Sequence, residues 1–440
     1  MELTIDKLIY GGDGLARLPA DQHGRGKTVF VPGVLEGEKI DAAIVEEKPG
    51  FARARVEKLL QPSPQRIEPG CPYFSRCGGC HYQHTGYEHQ LQIKSAILKE
   101  TLRRVGKLEL TSEVAVLPSA PWSYRNRTRF QLRSDGGFAA GYFEAASHQV
   151  LPVENCPISS ALINRALAEL WELGRANGIA KEVRAVELFA DADDTHLQVE
   201  LLVDGRLPSK TRATIGRALS EKLRKAIPEI AGGAVFPEWL SSPRGPARNP
   251  PELPDCCFGE EALRYRVGSE TLRVSPGSFF QVNRFVVDAL VNLVAGNRAG
   301  DFALDLFAGV GLFTVALGRA FHHVVAVESS QSSAADLPYN VTPSTKVVRA
   351  SVDEYLGKKS SRQRPDFVIV DPPRAGLGER VARALASLQA ARITYVSCDP
   401  ATLARDLVQL TTAGYRIEKV HLVDLFPQTY HLESVVELVR

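Results

Sequence analysis

Residues 1–60 alternate apolar and polar positions in short runs, as in Thr28-Val-Phe-Val31 and Lys39-Ile-Asp-Ala-Ala-Ile-Val45. Gly11-Gly-Asp-Gly14, Pro32-Gly33 and Pro49-Gly50 punctuate them. Alternation with period two puts every second side chain on one face, and closely spaced strands with glycine turns predict a small β-barrel. Pro62 and Pro64 then mark a linker. The period changes after it: Leu91, Ile97, Leu98, Leu102 and Val105 recur at helical spacing and predict a helix over 87–105 that packs on the C-terminal unit. A mixed segment follows and closes in Ser242-Pro-Arg-Gly-Pro-Ala-Arg-Asn-Pro-Pro-Glu-Leu-Pro254, whose composition predicts a loop. Beyond residue 271 apolar runs alternate with helical stretches, the pattern of an open, mainly parallel α/β sheet. Three units are expected: a barrel over 1–60, a central α+β region over 61–270, and an α/β unit over 271–440.

Chemistry gathers at the ends of the apolar runs in the last unit. Phe302-Ala-Leu-Asp-Leu-Phe-Ala-Gly309 passes through Gly309-Val-Gly311 into a helical stretch, a turn that lets backbone approach a ligand closely. His323-Val-Val-Ala-Val-Glu328 ends in a carboxylate suited to ribose hydroxyls. Thr314 stands where a dinucleotide fingerprint has its third glycine, which favours S-adenosylmethionine over a dinucleotide. A third run enters Asp371-Pro-Pro-Arg-Ala-Gly376, and a fourth, Ile393-Thr-Tyr-Val-Ser-Cys398, stops at a cysteine followed by Asp399-Pro400. Asp399 is expected to cap the next helix. Its positive N-terminus would lower the thiol pKa, and the Asp399 carboxylate would raise it. The residues alone leave Cys398 open between a buried structural thiol and a nucleophile.

Charge and cysteine usage narrow the setting. The chain of 440 residues carries a formal charge of +2, yet residues 51–133 hold fourteen Lys and Arg against six Asp and Glu, a basic segment suited to nucleic acid. No apolar run is long enough for a bilayer, and Met1-Glu-Leu-Thr-Ile-Asp-Lys7 lacks the regions of a signal peptide, so a cytoplasmic protein is expected. Four of the seven cysteines, Cys71, Cys77, Cys80 and Cys156, suit zinc or an iron–sulfur cluster. Cys256 and Cys257 are adjacent, poorly placed for one metal, and read as structural. Trp122, Tyr124 and Phe130 interleave with Arg125, Arg127, Arg129 and Arg133, which reads either as a set of base-stacking surfaces or as a half-buried strand with a basic face.

Five segments in order, Ser275-Pro-Gly-Ser-Phe-Phe-Gln-Val-Asn283, Asp305-Leu-Phe-Ala-Gly309, Asp371-Pro-Pro-Arg-Ala-Gly376, Ser397-Cys-Asp-Pro-Ala-Thr-Leu-Ala-Arg-Asp406 and Phe426-Pro-Gln-Thr-Tyr-His-Leu-Glu-Ser434, resemble the RNA uridine C5-methyltransferase family. Tyr10-Gly-Gly-Asp-Gly-Leu-Ala16 resembles the start of its RNA-binding TRAM domain, an OB-like barrel, and Tyr124-Arg-Asn-Arg-Thr-Arg129 its Tyr-Arg-Asn segment; residues 162–254 are covered least. The resemblance implies a Rossmann-like, S-adenosylmethionine-dependent catalytic domain acting on RNA, ribosomal in preference to transfer RNA, with no membrane association and no obligate protein partner. It implies that Cys398 adds to uracil C6 and that Glu433 removes the C5 proton. Asp371 falls beside cofactor and target base, and Gln281, Phe307, Gly309 and Glu328 fall at cofactor positions. Arg374 is assigned to substrate or enolate by charge and place alone. The cysteine spacing resembles that of the family's iron–sulfur branch and implies a 4Fe-4S cluster on Cys71, Cys77, Cys80 and Cys156. Two positions depart from the family: Asp399 replaces a frequent asparagine, and Leu312 a polar cofactor-contacting residue. An amino-group methyltransferase, a noncatalytic RNA-binding protein and a redox iron–sulfur protein are the competing readings. Arg374 in place of an aromatic after Asp-Pro-Pro weighs against the first, and Cys398 with Glu433 against the second.

Overall fold

The alternating N-terminal runs close on themselves through one broken strand. The computed structural model describes residues 1–18, 26–110, 112–238, 253–358 and 364–440. In it the run from Glu2 to Leu8 pairs antiparallel with Lys39–Lys48 through its first half and with Asp13–Arg17 through its second. At the break, Ile5 N–H donates to Glu38 C=O (2.9 Å) and Asp6 N–H to Leu15 C=O (2.8 Å), which completes the six-stranded barrel. Its interior is filled by Leu3, Ile5, Val29, Val31, Ile40 and three alanines, Ala42, Ala52 and Ala54.

The central region is a seven-stranded sheet in the order Val150–Pro152, Ala139–Phe143, Arg127–Arg133, Val183–Ala190, Leu197–Asp204, Ile230–Glu238 and Cys256–Gly259. Helices Ala161–Arg175 and Ser209–Ala226 bury Leu167, Leu170, Trp171, Leu219 and Leu223 against it. The loop expected over Ser242–Pro254 lies, apart from Leu253 and Pro254, outside the described residues.

The C-terminal sheet has eight strands in the order Thr345–Arg349, Phe321–Glu328, Gly300–Leu306, Phe367–Val370, Arg392–Ser397, Glu433–Val439, Arg416–Val423 and Ala115–Leu117. The first five are parallel, and Glu433–Val439 runs antiparallel to both its neighbours. The C-terminal ends of the parallel strands therefore share one rim, the usual ligand side of such a sheet. Two pieces from before residue 271 complete this layer. Ala115–Leu117 adds to the edge, and helix Tyr87–Gly106 packs Leu98 and Leu102 into one cluster with Leu403 and Leu407 of helix Pro400–Thr412. Val105 does not join the expected apolar stripe and is 53% exposed. At the last turn it is Gly106 that closes on the neighbouring helix, where an added Cβ would stand 3.1 Å from the Ala404 carbonyl oxygen.

The same helix carries a buried charge. Lys94 Nζ donates to Asp424 Oδ1 (2.6 Å) and to the Phe426 carbonyl (2.9 Å), and both partner side chains are fully buried. Breaking such a pair leaves an uncompensated charge in the core, whereas replacing both partners removes the desolvation cost as well. Lys94→Met is expected to lower stability by about 3–5 kcal/mol, and Lys94→Met with Asp424→Leu to recover most of that. Urea unfolding followed by far-UV circular dichroism reads both; equal losses in the two variants would assign the cost to packing instead of charge.

Candidate active site

The rim of the C-terminal sheet brings the expected nucleophile and base together by strand register. Ser397 and Ser434 are the last pair of the antiparallel ladder, and Ser434 Oγ donates to the Ser397 carbonyl (3.1 Å). The next residues outward on the two chains are Cys398 and Glu433. Burial pushes the Cys398 thiol up to about 11, the Glu433 carboxylate adds to the rise, the Arg374 guanidinium opposes it, and Asp371 adds a smaller rise. Burial also holds Glu433 well above the usual carboxylate range, with Asp371 raising it further and Arg374 again opposing. Arg374 is thus the cation that faces both groups. Asp399 does cap helix Pro400–Thr412, its Oδ1 accepting from the N–H groups of Ala401 (3.0 Å) and Thr402 (2.9 Å). Those N–H groups are therefore engaged by a carboxylate, and the expected lowering of the thiol by the helix end gives way to a rise set by burial.

Acidic groups continue from this point toward the glycine turn. Burial and Asp305 push Asp371 up to about 7. Burial pushes Asp305 to about 7 as well, with the Thr314 hydroxyl (2.5 Å) opposing and Glu328 adding. Asp305 Oδ1 has no hydrogen-bond partner among the described residues. Glu328 accepts from the N–H groups of Gly309 (2.8 Å), Ser329 (2.7 Å) and Ser330 (2.6 Å). Gly309 has φ +58°, and a Cβ placed on it would meet nothing within 4 Å, so its freedom serves the backbone turn and leaves open space above it. Phe307, two residues earlier, holds φ +66° without being glycine, a conformation that costs of order 1–3 kcal/mol and clusters at functional sites. A row of acids beside a glycine turn suits a ligand that is cationic and carries ribose hydroxyls. Leu312 is buried.

Gln281 is nearly buried on a segment clamped from two sides. Asp336, on the helix Gln331–Asn340 that follows Glu328, accepts from Ser275 N–H (2.7 Å), Ser275 Oγ (2.6 Å) and Ser278 Oγ (2.8 Å). From the central sheet, Arg127 donates to the Ser278 carbonyl (2.6 Å), and Gly277 N–H donates to Glu200 (2.8 Å). Phe279, on the same segment, is 67% exposed, a large apolar ring held at the surface beside Gln281. The alternation of the sequence carried no signal for it, since Phe279 and Phe280 are identical neighbours and only Phe280 is buried. Asp406 was also not singled out as a site residue. It accepts from Leu377 N–H (2.6 Å) and Tyr395 Oη (2.8 Å), and it lies where a side chain on Gly376 (φ +71°) would collide with it, so it pins the loop that carries Asp371 and Arg374.

Cys71, Cys77, Cys80 and Cys156 lie near enough for charge on Cys156 to raise each of the other three thiols, behind burial as the main cause. Arg125 faces Cys77, Cys80 and Cys156, and its buried Nε has no partner among the described residues. No group of three or more His, Cys, Asp or Glu among the described residues is gathered as the ligands of a metal ion. Cys256 and Cys257 stand apart, on the edge strand of the central sheet. Of the two readings of the Trp122–Arg133 segment, the structure takes the half-buried strand over stacking surfaces at Tyr124 and Phe130, which are fully buried. The Tyr124 hydroxyl donates to the Pro427 carbonyl (3.0 Å), and Arg127 is engaged by Glu187 (2.6 Å) and Glu200 (3.1 Å), so the segment ties the central sheet to the site instead of facing solvent. Trp122 remains partly exposed, and Arg129 and Arg133 exposed.

Removing the Arg374 charge withdraws the largest influence that favours the Cys398 thiolate against burial and the acids around it. A cation lowers a thiol pKa, so its loss raises it. In Arg374→Gln the alkylation profile of Cys398, followed against pH by peptide mass spectrometry, is expected to move to higher pH than in wild type. An unmoved or lowered profile would show that Arg374 does not act on the thiol.

A family described as tRNA (Uracil-5-)-methyltransferase matches residues 260–440, and a TRAM domain matches residues 1–56. The chain is 33% identical over 454 residues to the 23S rRNA (uracil(1939)-C(5))-methyltransferase of Chromohalobacter salexigens, covering 100% of this chain and 89% of that protein. It is 32% identical over 450 residues to an uncharacterized RNA methyltransferase of Aquifex aeolicus, covering 100% and 98%. The crystal structure of Pyrococcus abyssi tRNA (uracil-54, C5)-methyltransferase in complex with S-adenosyl-L-homocysteine matches over 100% of both chains, with a TM-score of 0.74 at 26% identity. With the Rossmann-like sheet, the TRAM barrel and full-length relatives agreeing, the chain belongs to the S-adenosylmethionine-dependent RNA uracil C5-methyltransferase family.

Proposed function

We propose that the enzyme methylates C5 of a uridine in 23S ribosomal RNA in the cytoplasm, with Cys398 as nucleophile and Glu433 as base. The observation that carries the chemistry is the ladder register that leaves Cys398 and Glu433 as facing residues beyond the Ser397–Ser434 pair. Uracil C5 is too weak a nucleophile unaided. The Cys398 thiolate bonds to C6, and the C5–C6 π electrons move toward O4, giving an enolate whose C5 is nucleophilic. S-adenosylmethionine, when bound, supplies an electrophilic methyl group to that carbon. C5 then carries both the methyl group and its original hydrogen. Glu433 takes that hydrogen as a proton, the C5–C6 double bond re-forms, and the Cys398–C6 bond breaks to return the thiolate. Arg374 favours both the thiolate and the developing enolate. Glu328 offers acceptors for ribose hydroxyls, Phe307, Gly309 and Gln281 line the cofactor side, Asp371 lies between cofactor and base, and Phe279 offers a surface on which a base can stack.

Ribosomal RNA is favoured because the relative named for a 23S rRNA uracil is 33% identical, against 26% for the solved transfer-RNA enzyme. The four clustered cysteines are proposed to hold a 4Fe-4S cluster. The spacing of the four cysteines favours the cluster by its resemblance to the family's iron–sulfur branch; that charge on Cys156 reaches the other three thiols, and that Arg125 offers a compensating charge with an unpaired N–H among the described residues, support it.

The decisive experiment supplies S-adenosylmethionine and RNA tritiated at uridine C5, and counts tritium released to water. Wild type is expected to release it from 23S rRNA and not from transfer RNA; the reverse would reassign the substrate. Cys398→Ala is expected to lose release by more than about 10³-fold, and Glu433→Gln to accumulate protein covalently bound to methylated RNA. Full release by Cys398→Ala would remove its assignment as nucleophile. For the cluster, anaerobically purified protein is expected to contain about four iron atoms per chain, lost with the visible absorption in Cys156→Ser; stoichiometric zinc would overturn the assignment.

A further inference from the structure

The barrel enters the catalytic site itself. Between strands Lys7–Leu8 and Asp13–Arg17 the chain makes a tight turn, with Ile9 N–H donating to Asp13 C=O (3.0 Å) and Gly12 N–H to Ile9 C=O (3.2 Å). Gly11 and Gly12 hold φ of +109° and +92°, backbone that only glycine adopts freely. The turn projects Tyr10 out of the barrel, and its hydroxyl donates to the carbonyl of Cys398 (3.2 Å). The ring stands edge-on to Tyr430, with centroids 5.7 Å apart and an interplanar angle of 88°. Tyr430 is flanked in turn by His81 (4.6 Å) and His431 (4.3 Å). Gly12 presses on His81 from the barrel side, where an added Cβ would lie 3.2 Å from the imidazole. Leu8 and Leu35 of the barrel share one hydrophobic cluster with Leu403, on helix Pro400–Thr412, and with Leu432, just before Glu433, so the approach is packed in place.

The Cys398 carbonyl sits at a junction. The ladder ends at Ser397, the cap is Asp399, and the following Pro400 has no N–H. With the ladder holding the residue from Ser397, fixing this peptide plane fixes the direction of the Cys398 Cα–Cβ bond and limits the sulfur to the few staggered positions about it.

We propose that Tyr10 is a positioning residue for Cys398, so that the N-terminal barrel is a working part of the methyl-transfer centre and not an RNA tether alone. The proposal rests on the reading of Cys398 as nucleophile. Burial and the neighbouring Asp399 push the Tyr10 hydroxyl pKa up, which keeps it a donor through the neutral range. A tether acts on RNA affinity; a positioning contact acts on the rate once RNA is bound.

The test uses full-length protein, S-adenosylmethionine and a 5-fluorouridine-substituted transcript of the RNA that wild type methylates. Fluorine at C5 cannot leave as a proton, so the methylated covalent adduct persists on denaturing gels. Wild type is expected to form the adduct and Cys398→Ala none. Tyr10→Phe keeps the ring contacts and loses only the donor. It is expected to slow adduct formation at saturating RNA by about 3- to 10-fold, with KM for RNA within about two-fold of wild type. A raised KM at an unchanged saturated rate would make Tyr10 an RNA contact and overturn the proposal, as would wild-type behaviour. An adduct that survives Cys398→Ala, or none with wild type, would sink the nucleophile reading and the proposal together. An adduct that requires Cys398 but is indifferent to Tyr10→Phe would sink the proposal alone.

Discussion

The buried Lys94–Asp424 pair is the contact on which the geometry of the site hangs. It fixes one end of the segment Asp424–His431, which delivers the chain to Glu433. The middle of that segment is held as tightly. Gln90 and Gln428 exchange hydrogen bonds in both directions (2.9 and 3.0 Å), and the Gln428 carbonyl accepts from His81 N–H (2.8 Å) and Tyr82 N–H (3.0 Å). Tyr124 donates to the Pro427 carbonyl (3.0 Å) from the central sheet. Gln428 sits at φ +69°, a conformation that a non-glycine residue keeps only where its surroundings over-determine it. Helix, cysteine loop and central sheet thus converge on one short stretch of backbone. The energetic logic is that of a buried polar network: fully partnered it specifies a single arrangement, and half partnered it would be worse than an apolar core.

Around that scaffold the charges are sorted by what each side of the cleft must stabilise. Glu433, Asp371, Asp305 and Glu328 form a series in which each acid is raised by the next, Glu433 by Asp371, Asp371 by Asp305 and Asp305 by Glu328. A sulfonium bound beside these acids would relieve their mutual repulsion, which suits the proposed cofactor side to a cation. At the other side stands Arg374, the guanidinium that favours ionisation of both Cys398 and Glu433. With its pKa raised to about 11, the thiol of the proposed nucleophile favours its protonated form near neutral pH. In the proposed reaction the guarded thiol and Arg374 are two halves of one arrangement: negative charge is disfavoured at rest and finds its partner where it would develop.

The sequence spoke clearly where local pattern and local chemistry coincide. Barrel alternation, the helix over 87–105 and the strand-to-glycine turn at Gly309 were legible because each is encoded within about ten consecutive residues. Residues whose meaning depends on distant partners were not. Tyr124 and Phe130 left two readings open, stacking surfaces or a half-buried strand, because nothing local announces that Glu187 and Glu200 neutralise Arg127 across the sheet. Ala115–Leu117 gave no sign that it would join the C-terminal sheet, since a three-residue strand carries the same alternation wherever it pairs. Asp406 belonged to a recognised segment, yet its task, holding the Asp371–Gly376 loop, became visible only with Leu377 and Tyr395 beside it.

That last case bears on how such signatures should be read. Within Ser397–Asp406 one side chain, Cys398, carries the proposed reaction, while Asp399 caps a helix and Asp406 anchors the neighbouring loop. The reason lies in the precision covalent chemistry demands. A nucleophile displaced by about 1 Å can lose on the order of 100-fold in rate, and no single side chain supplies that accuracy. Strand register does: neighbouring residues across an antiparallel ladder stand about 4.5–5.5 Å apart between Cα atoms, so ending the ladder at Ser397–Ser434 sets Cys398 opposite Glu433 before any side chain is chosen. The contacts that keep the ladder, the cap and the two loops in place are then as much a part of the catalytic signature as the thiol itself.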